Sequence, residues 1–319
     1  MKTWSLALGL ISLLTCLAPT EAADPIRIGL IGLDSSHAVA FSKTINANNG
    51  PASLAKAKVV AAFPGGSPDL STSTDRIEGF TKQIEQMGIE IVPSIDALLK
   101  KVDAVIINSV DGRVHLQQAM PVLEAGIPVF IDKPLTASLE ETKQLIALSK
   151  KTGTPFFSAS TLRYCQEVID INKDEVVGCV AYSPSKTDPT HPDLFWYGIH
   201  GVETLFTVMG PGCQTVQRTK VEGVEVVTGV WADGRVGTFR GIRDGSYGYG
   251  VVVFGKKDIQ LTKIKAKYDL LVVEIVKFFE TKQPPIAPEQ TLEIIAFMTA
   301  ADQSRDANGE AISMAPLLK

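Results

Sequence analysis

Val129-Phe130-Ile131-Asp132-Lys133-Pro134-Leu135 is the stretch that decides how this chain folds. Three apolar residues run into an acid, a lysine and a proline. A short apolar run that ends in turn residues has the pattern of a strand buried on both faces, as in a parallel sheet. Proline has no N–H to give to the ladder, so the strand ends near Lys133. Asp132 and Lys133 then stand at the carboxyl end of a strand, the edge of an open α/β sheet where ligands bind. Taken alone, the pair reads equally as a strand-end salt bridge.

The flanking sequence repeats the same rhythm. Ile26 to Leu33 predicts a first strand, and Asp34-Ser35-Ser36-His37 turns into a helix that a serine or aspartate can cap. Lys58–Phe63, Ile89–Val92, Asp103–Asn108 and Pro155–Ser158 supply further strands, with helical stretches between them. Strands alternating with helices predict a doubly wound parallel sheet with right-handed crossovers, a Rossmann-type dinucleotide-binding domain over residues 24–162. After Arg163-Tyr164 the pattern changes to strands in succession, with hairpin signals at Asp233-Gly234 and Gly255-Lys256-Lys257-Asp258. Residues 163–319 therefore read as an α+β domain with a mostly antiparallel sheet. Two closing helices, near 269–281 and 288–306, are expected on one of its faces.

With 319 residues, the chain is long enough for two domains, and its net charge of −4 gives no sign of a nucleic acid or anionic membrane partner. Residues 1–23 read as a Sec-type signal peptide: a basic start, an apolar stretch from Trp4 to Leu17, and small residues at Ala22-Ala23. That apolar stretch is short for a bilayer span, so the mature chain carries no transmembrane segment and is expected in the periplasm or outside the cell. Leu13-Leu14-Thr15-Cys16 is a weaker match to a lipoprotein site. Cys165, Cys179 and Cys213 have no metal or redox spacing and read as buried structural thiols.

The strand order with Ile131-Asp132-Lys133-Pro134-Leu135 after the fifth strand resembles the Gfo/Idh/MocA oxidoreductases, whose strand reads E-K-P. His115 after the fourth strand, Arg163 after the sixth, and Gly198-Ile199-His200-Gly201-Val202-Glu203, similar to the family's G-x-H-x-x-D, extend the resemblance over the mature chain. It implies NAD or NADP as cofactor, a sugar or polyol as substrate and a homo-oligomer. It also implies that Lys133 meets the substrate hydroxyl and that His200 moves its proton, with Tyr197 and Glu203 beside it at helical spacing. Hydride removal from a carbinol needs such a pair, a base for the proton and a cation for the developing alkoxide. Gly32, Ser35, Ser36, His37, Asn108, Ser109, His115, Asp132, Lys133 and Arg163 are the expected cofactor-binding positions.

The sequence also departs from the family pattern. Of the G-x-G-x-x-G fingerprint only Gly32 is kept; Asp34 and His37 stand at the other glycines. No acid follows the second strand, where Ser67 and Arg76 lean toward NADP. Trp196 stands where the family often has aspartate. The alternative is an exported, catalytically degenerate sugar-binding protein on the same scaffold. A metal held by His191, Asp193, His200 and Glu203 matches no known zinc spacing.

Overall fold

The computed structural model describes residues 24–47 and 51–319; the expected leader, residues 1–23, lies outside them. Six strands form the first sheet: β1 (Ile26–Ile31), β2 (Ala57–Phe63), β3 (Glu90–Ile91), β4 (Ala104–Ile107), β5 (Val129–Asp132) and β6 (Phe156–Ala159). Their order is β3-β2-β1-β4-β5-β6, with every pair parallel. β4, β5 and β6 are buried along their whole length, which is why they read as continuous apolar runs. The order reverses between β1 and β4, and the carboxyl ends of β1, β4 and β5 bring Gly32, Asn108 and Asp132 to one edge. A crevice at such a reversal is the ligand site of open α/β sheets.

The second sheet has seven strands: β7 (Val176–Pro184), β8 (Cys213–Lys220), β9 (Val224–Trp231), β10 (Val236–Ile242), β11 (Tyr249–Gly255), β12 (Ile259–Ile264) and β13 (Ile312–Ser313). They run in the order β12-β11-β7-β10-β9-β8-β13, antiparallel except for β10 against β7. Burial alternates along β8, β9 and β10. One face packs on the helices Ile199–Met209 and Pro288–Asp306; the other leaves Val177, Phe254, Ile259 and Leu261 exposed. β13 has no sequence signal, because two residues are too short to show a period.

One expectation is corrected. The helix Asp269–Thr281 does not cover the second sheet; its apolar face packs on the first, in the same cluster as the helix Ser36–Ile45. Phe278 meets Phe157 at 5.0 Å, and Phe157 meets Phe130 of β5 at 4.9 Å. The periodicity of a helix shows which of its faces is apolar, but not which sheet receives it. Cys165, Cys179 and Cys213 are all buried and free. No helix among the described residues is long and apolar enough to cross a membrane.

Gly201 lets the helix Ile199–Met209 lie against β10. A Cβ there would stand 2.2 Å from the Phe239 ring and 2.7 Å from Ser183 Oγ. Gly201→Ala should therefore destabilise the protein by about 1–3 kcal/mol through overpacking, measured by urea denaturation.

Candidate active site

The edge over β1 is built around Gly32. Its φ is +86°, and a Cβ would lie 2.4 Å from the Ser109 backbone nitrogen, so only glycine fits. Asp34 is fully buried; Oδ1 accepts the Val110 N–H at 2.9 Å and Oδ2 accepts the Ser73 hydroxyl at 2.6 Å. The carboxylate at the second fingerprint position is thus turned into the protein. Ser35 caps the helix Ser36–Ile45, its Oγ accepting the His37 N–H at 3.1 Å, and Ser36 is exposed at the first turn.

His37, at the third fingerprint position, reaches across to β5. Its Nδ1 is 2.5 Å from Asp132 Oδ2. The ring stacks on Phe41 at 5.3 Å and meets Tyr268 edge-on at 4.8 Å. Asp132 Oδ1 accepts the Lys133 N–H at 2.8 Å. Burial alone would raise the Asp132 pKa, but the His37 charge and hydrogen bond, helped by Lys133, bring it down to about 2. Asp132 therefore faces His37, not an open cofactor position.

The second domain supplies His200 from the helix Ile199–Met209. His200 Nδ1 is 2.8 Å from Ser160 Oγ. Burial, then the nearby charges of Lys133 and His37, hold its pKa well below the usual histidine value, against a smaller pull from Asp132. Tyr197 sits just before this helix, so it does not share a helical face with His200. Its ring still meets the imidazole edge-on at 5.2 Å, and its hydroxyl is 3.1 Å from that of Tyr249. Glu203 is not hydrogen-bonded to His200, contrary to expectation. It accepts the Ser160 N–H at 2.7 Å and the Arg163 Nε–H at 2.8 Å, and Ser160, whose hydroxyl meets His200, stands between the two. Burial raises the Glu203 pKa despite these partners.

Ser35, Ser36, His37, Lys133, Tyr197 and His200 line one cleft of about 480 Å³ between the domains. Other expected residues lie off it. His115 is buried, with Nδ1 2.9 Å from the Pro134 carbonyl and Nε2 2.9 Å from that of Ser109, so it ties the Lys-Pro turn to the loop after β4. Arg163 is taken by Glu203 and faces another depression. Ser109 donates to Gln118 at 2.8 Å, and the buried Asn108 amide has no partner among the described residues. Gly32 shapes the turn without lining the cleft. Ser67 is buried, whereas Arg76 reaches the wall beside Thr72. The metal set is dispersed: His191 lies 3.1 Å from Asp111, and Asp193 pairs with Lys220 and Arg305. No group of three or more His, Cys, Asp or Glu among the described residues is arranged to hold a metal ion. Lys186, Tyr249 and Tyr268, which also line the cleft, carried no sequence signal, since each stands in or beside a loop outside any spaced motif.

Residues 26–160 match the family model described as an oxidoreductase family with an NAD-binding Rossmann fold. An inositol 2-dehydrogenase of Corynebacterium glutamicum (strain R) is 28% identical over 138 residues, 43% of this chain and 37% of that protein. An uncharacterized oxidoreductase of Escherichia coli (strain K12), YdgJ, is 26% identical over 177 residues, 54% of this chain and 46% of that protein. The match thus spans under half the length of these curated relatives. Among solved structures, scyllo-inositol dehydrogenase from Lactobacillus casei, with bound NAD(H) and scyllo-inositol, superposes with a TM-score of 0.71 at 16% identity, covering 92% of this chain and 100% of that one. GenD2 from gentamicin A biosynthesis, in complex with NAD, gives 0.72 at 16% identity, covering 96% and 99%. At this identity the likeness establishes the fold.

The His37–Asp132 pair has a pH signature. Asp132 is held at about 2 in the folded chain, below its unfolded value, so the stability it contributes is present above pH 4 and is lost as pH falls through about 2. Asp132→Asn should cost about 2 kcal/mol at pH 6, and urea midpoints should show the difference shrinking as pH drops below 4.

Proposed function

We propose, from the match of residues 26–160 to the Gfo/Idh/MocA oxidoreductase family model, that the chain oxidises a carbinol of a sugar, cyclitol or similar polyol with a nicotinamide dinucleotide. The observation that carries this reading is that Lys133 and His200, from different domains, line the same cleft as the helix N-terminus at Ser35 and Ser36. The residues present fit such a cofactor. Exposed Ser36 at the start of a ten-residue helix offers a seat for phosphate, and the Asp34 charge is turned inward onto two donors. Arg76 and Thr72, from the segment after β2, stand on the same wall, where a 2′-phosphate would meet Arg76; NADP therefore stays beside NAD.

The bound dinucleotide would supply the hydride acceptor. The chain's own residues prepare the oxygen. Lys133 places an ammonium where negative charge develops as the hydroxyl ionises. His200, held by Ser160 and kept neutral by its surroundings, is a hydrogen-bond partner on the other side of that oxygen. Tyr197 and Tyr249 add hydroxyls suited to a polyol. Export of the mature chain, cut near Ala23, completes the reading. It rests on the basic and apolar pattern of residues 1–23, and intact-mass analysis of the mature protein would test it.

Turnover with a panel of sugars and cyclitols, with NAD and NADP, tests the redox reading. Lys133→Ala should lower kcat at least tenfold, about 1.4 kcal/mol of barrier, with a smaller effect on KM. Cyclitol binding in calorimetry with no dinucleotide binding would instead support a sugar-binding protein on this scaffold.

A further inference from the structure

We propose that His37, oriented by Asp132, is the group in this cleft that takes the substrate's hydroxyl proton, with His200 as its hydrogen-bonding neighbour. This rests on the oxidoreductase reading above and reassigns its proton acceptor. Three observations carry it. First, His37 and Asp132 make the arrangement of an oriented base: a buried carboxylate holds Nδ1 at 2.5 Å, and no described residue hydrogen-bonds Nε2. Second, the ring is fixed between Phe41 and Tyr268, and His37 lines the cleft together with Lys133 and His200. Third, the two imidazoles differ in what could balance a new positive charge. His37 touches a carboxylate. His200 touches a serine hydroxyl, while the nearest glutamate, Glu203, is spent on the Ser160 N–H and Arg163.

A proton arriving on His200 would add a second cation next to Lys133 with no carboxylate in contact. A proton arriving on His37 completes an ion pair with Asp132. The step balances as follows. The substrate O–H bond breaks and its proton goes to His37 Nε2, while Nδ1–H stays on Asp132. The carbinol C–H bond breaks, its hydrogen leaving with both electrons to the nicotinamide dinucleotide, which is reduced. The oxygen lone pair closes the C=O bond of the product. Asp132 is then a positioning residue. The fingerprint's third position, ordinarily the glycine that allows close helix–strand packing, here carries the base.

The test uses the full mature chain and its four histidines. Diethyl pyrocarbonate acylates an open, unprotonated imidazole nitrogen, and peptide mass mapping locates the adduct. Expected is modification at His37 at least tenfold faster than at His115 and His191, whose rings are buried. His37 reacting no faster than those two would overturn the proposal without any substrate in hand. With an active substrate from the panel, His37→Gln should lower kcat at least 100-fold, leave dinucleotide Kd within threefold, and regain part of its turnover with added imidazole. His200→Gln should lose less than tenfold. Asp132→Asn should lower kcat with dinucleotide Kd unchanged. His37→Gln within tenfold of the parent, or His200→Gln the more damaging change, would also overturn the assignment. Failure of the parent to bind either dinucleotide would refute the redox reading and the proton transfer built on it. Sound dinucleotide binding with an unreactive His37 would refute only the dyad.

Discussion

The ligand edge of this protein depends on one buried carboxylate. A charge without partners in the interior costs several kcal/mol, so Asp34 can be where it is only because Ser73 Oγ and the Val110 N–H both point at it. Ser73 Oγ also accepts the Ser67 N–H at 2.9 Å. One side chain thereby ties together the loops that follow β1, β2 and β4. The main chain reinforces the tie, with the Gly32 and Leu33 N–H groups donating to the carbonyls of Phe63 and Pro64. Those loops and the first turns of the helices they enter carry Ser35, Ser36, Thr72, Arg76 and Val110, and the wall of the cleft is consequently preorganised rather than assembled around a ligand. An aspartate at a fingerprint glycine looks like a defect in the sequence; in the fold it holds the edge together.

Charge is handled differently on the two sides of the cleft. On the first-domain side, Lys133 and His37 gather around buried Asp132. On the second-domain side, Arg163 and Glu203 pair with each other beneath Ser160, so His200 hydrogen-bonds to a hydroxyl and meets an aromatic ring, with no carboxylate bonded to it. Below that helix, fully buried Arg218 is surrounded by Glu225, Asp193 and Asp302. Buried ion pairs of this kind add little net stability compared with apolar packing, but removing one member strands the others. They fix the position of the segment that leads into the His200 helix.

Most of the architecture was legible in the sequence, because both sheets write their burial into short periods. Short apolar runs marked β4 to β6, hairpin turns at Asp233-Gly234 and Gly255-Lys256-Lys257-Asp258 marked the second sheet, and Pro134 marked the end of β5. Lys133 and His200 were legible as residues of one cleft because the strand end and the following domain leave few other places for them. The partners of polar groups were not legible. Helical spacing put Glu203 near His200, yet Ser160 and Arg163 compete for its oxygens and win. His115 and Arg163, expected at the cofactor, are instead consumed by carbonyls and by Glu203. The His37–Asp132 contact joins positions far apart in sequence, and no local pattern reports which of several nearby donors a carboxylate selects. The helix Asp269–Thr281 showed its apolar face but not the sheet that receives it.

That helix also governs how the two halves can move. The chain leaves the first domain after β6, builds the second sheet, and returns to dock Leu271, Val272, Ile275 and Phe278 onto the first. It then crosses a third time, between Thr281 and Pro288, so that the helix Pro288–Asp306 and β13 join the second sheet. The two halves are therefore joined by three crossings rather than one, and the Thr161 hydroxyl donates to the Lys267 carbonyl, fastening the first outgoing segment to the returning one. A single linker permits swivel, twist and separation. Three crossings, two of them bound to each other, remove most of those degrees of freedom. Because Thr161, Leu162, Ala266 and Tyr268 beside that bound pair also line the cleft, this part of the site works like the spine of a book, keeping the residues of the two halves in register.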